Sequence, residues 1–406
     1  MASRRTTGVV AVVASGLILA ACSSGSSKTT TNTTSGSSAT TSGSGSLTPT
    51  SFTSDFSAMA SLKSLASQGH GSIAVLLPDT ASSTRYTQFD EPYLTKAFQA
   101  AGLTSSQYSI VNASGSDQSQ LNDAEQALTN GASVILLDSL DSGVGASIEQ
   151  KAQAAGVKVI DYDRLDLKGS ESYYVSFDNV KVGQLQGQGL VSCVSSWNIK
   201  TPNVLEMDGA STDNNATLFA QGYNSVLNPL YADHTLSKVG ESPIANWGSN
   251  GEGQTFFQQQ YTAHPTINAV LTANDNLASQ AITVLKAQKI PPKSVATTGQ
   301  DASTSGLQNI LAGYQCMTVY KPIYAEAQAS AALALYLRAG QTPPSSILNG
   351  QSDDQTGTPV ASVLLTPISV TSTNMNSTVV KDGFVSAATL CTGSFASLCS
   401  AAGISG

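Results

Sequence analysis

From Ser72 onward, short apolar runs alternate with longer segments whose apolar residues recur every three to four positions. "SIAVLLP", "YSIVNAS", "SVILLDSL" and "VKVIDYD" have strand length, whereas "FDEPYLTKAFQAAG", "QLNDAEQALTNG" and "GASIEQKAQAAG" between them carry the helical period. No hairpin turn separates them, so the strands are predicted to lie parallel, joined by right-handed crossovers. After "YYVSFDN" the alternation restarts with the helical "VKVGQLQGQGLVSCVSSW" and the strand "NVLEMDG", and it continues to "CMTVYKP". Two similar open sheets in tandem are implied. Pro322 suits the first turn of "PIYAEAQASAALALYLRAG" and Gly340 its end, and "SVLLTPISV" reads as the last strand.

The two ends of this pattern set its context. Arg4 and Arg5 precede an apolar run from Gly8 to Ala21, shorter than the ~20 residues of a membrane span, so residues 1–21 read as a secretory signal. "LAAC" resembles the bacterial lipoprotein box, which makes Cys22 the predicted lipid attachment point and an ordinary cleaved signal the rival reading. Residues 22–70, almost wholly Ser, Thr and Gly as far as Thr50, are expected to form a tether to the outer face of the cytoplasmic membrane. The remaining ~350 residues exceed one compact core and suit two domains.

Composition removes some functions. Without Arg4 and Arg5 the 19 basic residues fall to about 17 against 27 acidic ones, which argues against nucleic acid as a partner. Cys193, Cys316, Cys391 and Cys399 allow three pairings in an oxidising compartment, with a local Cys391–Cys399 bridge the first choice. Neither CxxC spacing nor clustered histidine accompanies them, so no metal and no cofactor are expected.

In open parallel α/β sheets ligands bind beyond the carboxyl ends of the strands. The polar and aromatic residues there are Arg85 and Tyr86, Asp163 and Arg164, then Asp213, Asn214 and Asn215, Trp247, Asn274 with Asp275, Gln300 with Asp301, and Lys321. The set holds carboxylates, cations, amides and a ring but no nucleophile beside a base. It suits a neutral polyol, whose hydroxyls give to carboxylates and take from Arg, Lys and Asn while a ring covers C–H groups. Blander roles compete: an Asp163–Arg164 ion pair or turn, Trp247 as a rim residue, and Asp275 as a helix cap. Asp178 and Asn179 in "SFDN" are expected to cap the next helix or shape a crossover.

"DYDR", "YYVSFDNVKVGQLQGQ", "TDNNATLF", "GQDASTSGLQNILAG", "CMTVYKPI" and "LLTPISVTSTNMNSTVVKDGF" resemble the D-xylose-binding branch of the type I periplasmic binding proteins of bacterial ABC importers. That resemblance, over residues 71 to about 386, implies an α/β fold of two Rossmann-like lobes joined by a three-segment hinge and closing on one monosaccharide. It assigns residues 71–178 with about 319–345 to one lobe and 179–318 with about 346–406 to the other. It implies ligand roles for Arg85, Asp163, Arg164, Asp213, Asn274, Trp247, Asp301 and Lys321, and it would have a tryptophan at Tyr86. A monomer is expected, serving a permease and its separate ATPase rather than acting as an enzyme. A sensor docking on a membrane receptor, a secreted glycosidase with two carboxylates and a sugar-responsive repressor are the alternatives.

Overall fold

The computed structural model of the chain describes residues 47–405. The signal reading of residues 1–21, Cys22 and the first part of the tether lie outside these residues.

The segment expected to continue the tether is folded from Pro49 on. Helices α1 (Ser57–Ala60) and α2 (Lys63–Ala66) and the turns before them place Phe52, Phe56, Met59 and Leu62 in the first core. Their three-to-four-residue spacing is a short amphipathic pattern, so the expectation of a tether to residue 70 is corrected here.

Next come β1 (Ser72–Leu77), α3 (Glu91–Ala100), β2 (Tyr108–Asn112), α4 (Asp117–Thr129), β3 (Ala132–Leu137), α5 (Ser142–Ala154), β4 (Lys158–Tyr162) and β5 (Tyr173–Phe177). The chain then crosses into α6 (Asn179–Ser196), β6 (Asn203–Asp208), α7 (Asn214–Ala232), β7 (Ser237–Pro243), α8 (Glu252–Ala263), β8 (Ala269–Thr272), α9 (Asp275–Ala287), β9 (Ala296–Thr297), α10 (Thr304–Leu311) and β10 (Thr318–Tyr320). It crosses back into α11 (Ile323–Arg338), β11 (Gly350–Ser352) and β12 (Val360–Leu365), then returns through β13 (Ile368–Val370) to α12 (Ala387–Leu390) and α13 (Phe395–Ala401).

The first sheet has the order β11-β12-β5-β4-β3-β1-β2 and is parallel except at the β11 edge. Residues 350–365 were expected in the second lobe, but Ser362 to Leu365 pair in parallel with Tyr174 to Phe177 of β5. Pro367 explains why "SVLLTPISV" is two strands: it has no N–H to give a ladder, so β12 stops before it and β13 begins in another sheet. The second sheet runs β7-β6-β8-β9, all parallel. Backbone bonds from Cys316 to Thr297 and from Val319 to Gly299 carry it on to β10, which pairs with β13.

Short-range chemistry starts the helices. Ser116, Asp141, Asp178, Asp213, Asn274 and Ser303 each accept from a backbone N–H of the first turn of the helix that follows. Asp178 thus takes the capping role expected of it, whereas Asn274 rather than Asp275 caps α9. Gly340, at φ +67, closes α11 in the left-handed region that a side chain disfavours. Helices α6 and α7 touch backbone to backbone through Gly183 and Gly222, where a Cβ would stand 2.0 Å from Phe219 O and 2.2 Å from Val180 O. Cys193 is bridged to Cys316 and Cys391 to Cys399, so the local pairing expected from sequence is the one formed. Among the described residues no helix is long and apolar enough to cross a membrane.

Candidate functional site

Of the thirteen strand-end residues singled out from sequence, eleven line one cavity between the carboxyl ends of the two sheets, and Asn214 and Asp275 do not. Arg85, Tyr86, Asp163 and Arg164 come from the first sheet's loops, and Asp213, Asn215, Trp247, Asn274 and Asp301 from the second's. Lys321 stands at the return crossing after β10. Ser82, Ser83, Phe219 and Gln300 complete the lining. Gln300 was visible at a strand end, but two loop serines and a phenylalanine on the inner turn of α7 carried no signal of their own.

The guanidinium of Arg85 is fixed by three buried carboxylates. Nε and Nη2 give to Asp90 at 2.9 and 2.7 Å, Nη2 also to Glu326 at 2.7 Å, and Nη1 to Asp163 at 2.7 Å. Four of its five donors are used, leaving one on Nη1. Asp90 in turn accepts from the Tyr162 hydroxyl. Neither Asp90 nor Glu326 was flagged from sequence, since both lie inside helical patterns and reach the site only through Arg85.

Asp163 and Arg164, adjacent in sequence, do not pair with each other. Asp163 turns to Arg85 and lies 3.6 Å from Lys321, whereas Arg164 reaches Asp138 at 3.4 Å and Asp213 at 3.1 Å. Arg164 also gives to Ser139 O and, at 2.8 Å, to the Tyr86 hydroxyl. The split follows from the backbone: Asp163 has φ +62, a left-handed turn that sends successive side chains apart. Three donors hold that turn on its carbonyl, from Tyr174, Ser176 and Asn215. Burial alone would raise the Asp163 carboxyl, but Arg85, Lys321 and Arg164 outweigh it and hold it below the usual range. For Asp213 burial wins over Arg164, and its carboxyl is raised.

On the second sheet's side Asp213 caps α7 through Oδ1 and receives the Trp247 indole N–H on Oδ2 at 3.0 Å. The indole therefore presents its apolar ring to the cavity with its polar tip tied down, and Phe219 meets it at 6.2 Å. Trp247 is 6 % exposed, so it is a wall of the cavity rather than a rim residue. Asn246 and Trp247 sit at φ +51 and +53, and Asp301 at +94, so left-handed backbone recurs on residues that line this cavity or adjoin it.

Some polar groups here make ion pairs or no polar contact at all in place of hydrogen bonds among the described residues. Gln300 Oε1 and Asp301 Oδ1 are buried and accept no hydrogen bond among the described residues, Asp301 Oδ1 having only Lys321 at 3.4 Å. Lys321 has carboxylates no nearer than 3.4 Å, and its three N–H donors make no hydrogen bond among the described residues. Buried groups of this kind require a partner. Across the cleft Ser83 gives to Asp301 at 2.8 Å and Asn274 to Ser82 O at 3.2 Å, so loops of both sheets meet over the cavity. Asp275, read as a cap, instead ties strand ends together by accepting from Ser303 N, Gln315 and Thr318.

A sequence profile described as a periplasmic binding protein domain matches residues 73–342. This chain belongs to the type I periplasmic sugar-binding protein family. It is 35 % identical over 277 residues to the D-xylose-binding periplasmic protein of Escherichia coli (strain K12), covering 68 % of this chain and 80 % of that one. It is 32 % identical to the multiple sugar-binding periplasmic receptor ChvE of Rhizobium radiobacter, covering 78 % and 91 %. An ABC transporter solute binding protein from Clostridium phytofermentans with bound β-D-glucose superposes with a TM-score of 0.70 at 25 % identity, covering 78 % and 99 %. The family's parallel α/β sheets are those described above, and the periplasmic binding protein's cavity lies where its two sheets face each other.

Proposed function

We propose that this binding protein captures one monosaccharide between two lobes, D-xylose before others, and delivers it to an ABC permease outside the cytoplasmic membrane. The observation that carries this reading is the convergence of Arg85, Asp163 and Arg164 with Asp213, Asn274 and Asp301 on a single cavity. Carboxylates and amides from both sides would grip opposite hydroxyls while Trp247 and Phe219 cover the ring's C–H face.

Closure follows from the same arrangement. A ligand that touches both sides favours the form in which they meet, and it shifts the equilibrium by its extra contacts in that form. The chain crosses between the sheets after Phe177, after Tyr320 and after Leu365, so three short segments would serve as the hinge. A lipid on Cys22 would keep the body near the permease.

Calorimetric titration of the purified protein with D-xylose, D-glucose, D-ribose, L-arabinose and D-galactose tests the reading. Saturable binding with D-xylose tightest supports it in full. Preference for a hexose would replace the sugar named, and absence of binding to every pentose and hexose tried would overturn sugar capture itself.

A further inference from the structure

A second cluster of buried charge lies on the first sheet, away from the sugar cavity. It gathers Glu149 of α5, Asp161 of β4, and Asp166 and Glu171 of the loop between β4 and β5. One oxygen each from Glu149, Asp161 and Glu171 lie within 4.8 Å of one another. Glu149, Asp161 and Asp166 are each 0 % exposed.

Neighbouring donors fix how these carboxylates point. Asp161 Oδ2 accepts from Asp166 N at 2.7 Å, Asp166 Oδ1 from Ser139, and Glu149 Oε2 from Ser170 N. Among the described residues the opposite oxygens accept nothing: Glu149 Oε1, Asp161 Oδ1, Asp166 Oδ2 and both oxygens of Glu171, and Ser170 Oγ is likewise without a partner. Asp166 stands outside the closest three, but its Oδ2 is likewise buried and without a hydrogen-bond partner among the described residues. No Lys, Arg or His forms an ion pair with any of the four among the described residues. The other acidic trio, Glu206, Asp208 and Glu241, differs: Lys238 pairs with Glu206 and Glu241, and Tyr223 and Tyr231 give hydroxyls to Asp208 and Glu206.

Acceptors that face acceptors require a proton or a cation between them. Burial first, then mutual repulsion, pushes the carboxyls up, Glu171 to about 8, so in isolation the cluster opposes its own ionisation. We propose that Glu149, Asp161, Asp166 and Glu171 form a binding site for a divalent cation of the calcium class. Calcium takes six to eight oxygens at about 2.3–2.6 Å, so ligands on opposite sides of the ion stand roughly 5 Å apart, as this spacing allows; magnesium holds its ligands closer and more rigidly. Two glycines leave room for the carboxylates: a Cβ at Gly169 would stand 2.5 Å from Glu149 Oε2, and one at Gly145 1.9 Å from Asp166 Oδ2. The loop so tied to α5 is the one that begins with Asp163 and Arg164, so the ion would brace the sugar-gripping turn from behind.

The test needs no sugar and is independent of sugar capture. Purified protein is stripped with a chelator, dialysed against CaCl2 or MgCl2 alone, and its metal content and melting temperature are measured. One calcium per chain, with Tm raised by about 2 °C or more at saturation and less by magnesium, is expected. Glu171→Gln, at the half-buried rim, should weaken calcium binding tenfold or more, while Glu241→Gln in the other trio should leave it unchanged. Wild-type protein that retains no calcium and melts at the same temperature with and without it, from pH 6 to pH 8, overturns the site in favour of shared protons. So does a folded Glu171→Gln with the full calcium response; should that variant not fold, the wild-type stoichiometry and Tm decide alone.

Discussion

Arg164 Nε stands 3.1 Å from Asp213 Oδ2, joining the end of a first-sheet strand to the cap of α7 in the second. Both side chains are nearly inaccessible, at 6 % and 2 % exposure, and among the described residues Asp138 is the only other carboxylate that pairs with Arg164. Deep burial makes each charge depend on the other, because a lone buried ion costs several kcal/mol.

Removing the guanidinium therefore strikes both sides of the cavity. Arg164→Ala is expected to raise the Kd for the sugar at least ~30-fold, about 2 kcal/mol or more, since Asp138 and Asp213 lose their cation together. Calorimetry beside a thermal melt checks this. A variant that melts near the wild-type temperature and binds sugar as tightly would refute the assignment of Arg164 to the grip.

Glu326 supplies a pH signature. Burial pushes its carboxyl up to about 8, Asp163 and Asp90 adding to the effect and Arg85 opposing it. With the folded value above the unfolded one, the folded state holds this proton more tightly, so the stability it confers is full below about pH 4.5 and lost as pH rises to about 8. Glu326→Gln removes that loss while keeping an acceptor for Arg85. Its Tm should match wild type at pH 5 and exceed it by a few degrees at pH 8.5; melts at the two pH values that show no widening gap would contradict the account.

Gly209 does not line the cavity, yet it seats the tryptophan that does. A Cβ there would lie 2.2 Å from the Trp247 ring. Gly209→Ala is expected to push the indole off Asp213, costing roughly 1–3 kcal/mol in stability by overpacking and weakening sugar binding as well. Tryptophan fluorescence and a sugar titration read the two effects separately.

The two disulfides should differ in weight. Cys193–Cys316 closes 123 residues and Cys391–Cys399 only 8. On a chain-entropy account the long bridge contributes about 5 kcal/mol and the short one about 2.5. Replacing Cys193 and Cys316 by serine should lower Tm clearly more than replacing Cys391 and Cys399, as paired melts would record; the reverse order would show that native packing outweighs loop entropy here.

Legibility followed the range of each interaction. Strand-helix alternation, the cap at Asp178, and most of the polar residues at strand ends are set by neighbours a few positions apart, and the structure keeps them. Phe52 to Leu65 shows a signal that was present but overshadowed by the Ser/Thr/Gly run before it. Asp90 and Glu326 show the opposite case, for nothing local marks a helix carboxylate as the anchor of an arginine 5 or 241 residues away.

The sequence by itself determined two parallel sheets and the chemical inventory of one cavity, because backbone period and capping act over a turn or a strand. Only the tertiary structure decided that Asp163 and Arg164 part company, that β12 returns to the first sheet, and that the carboxylates of Glu149, Asp161 and Glu171 converge. Those outcomes depend on through-space charge, burial and register between segments far apart in the chain, which adjacency in sequence does not encode.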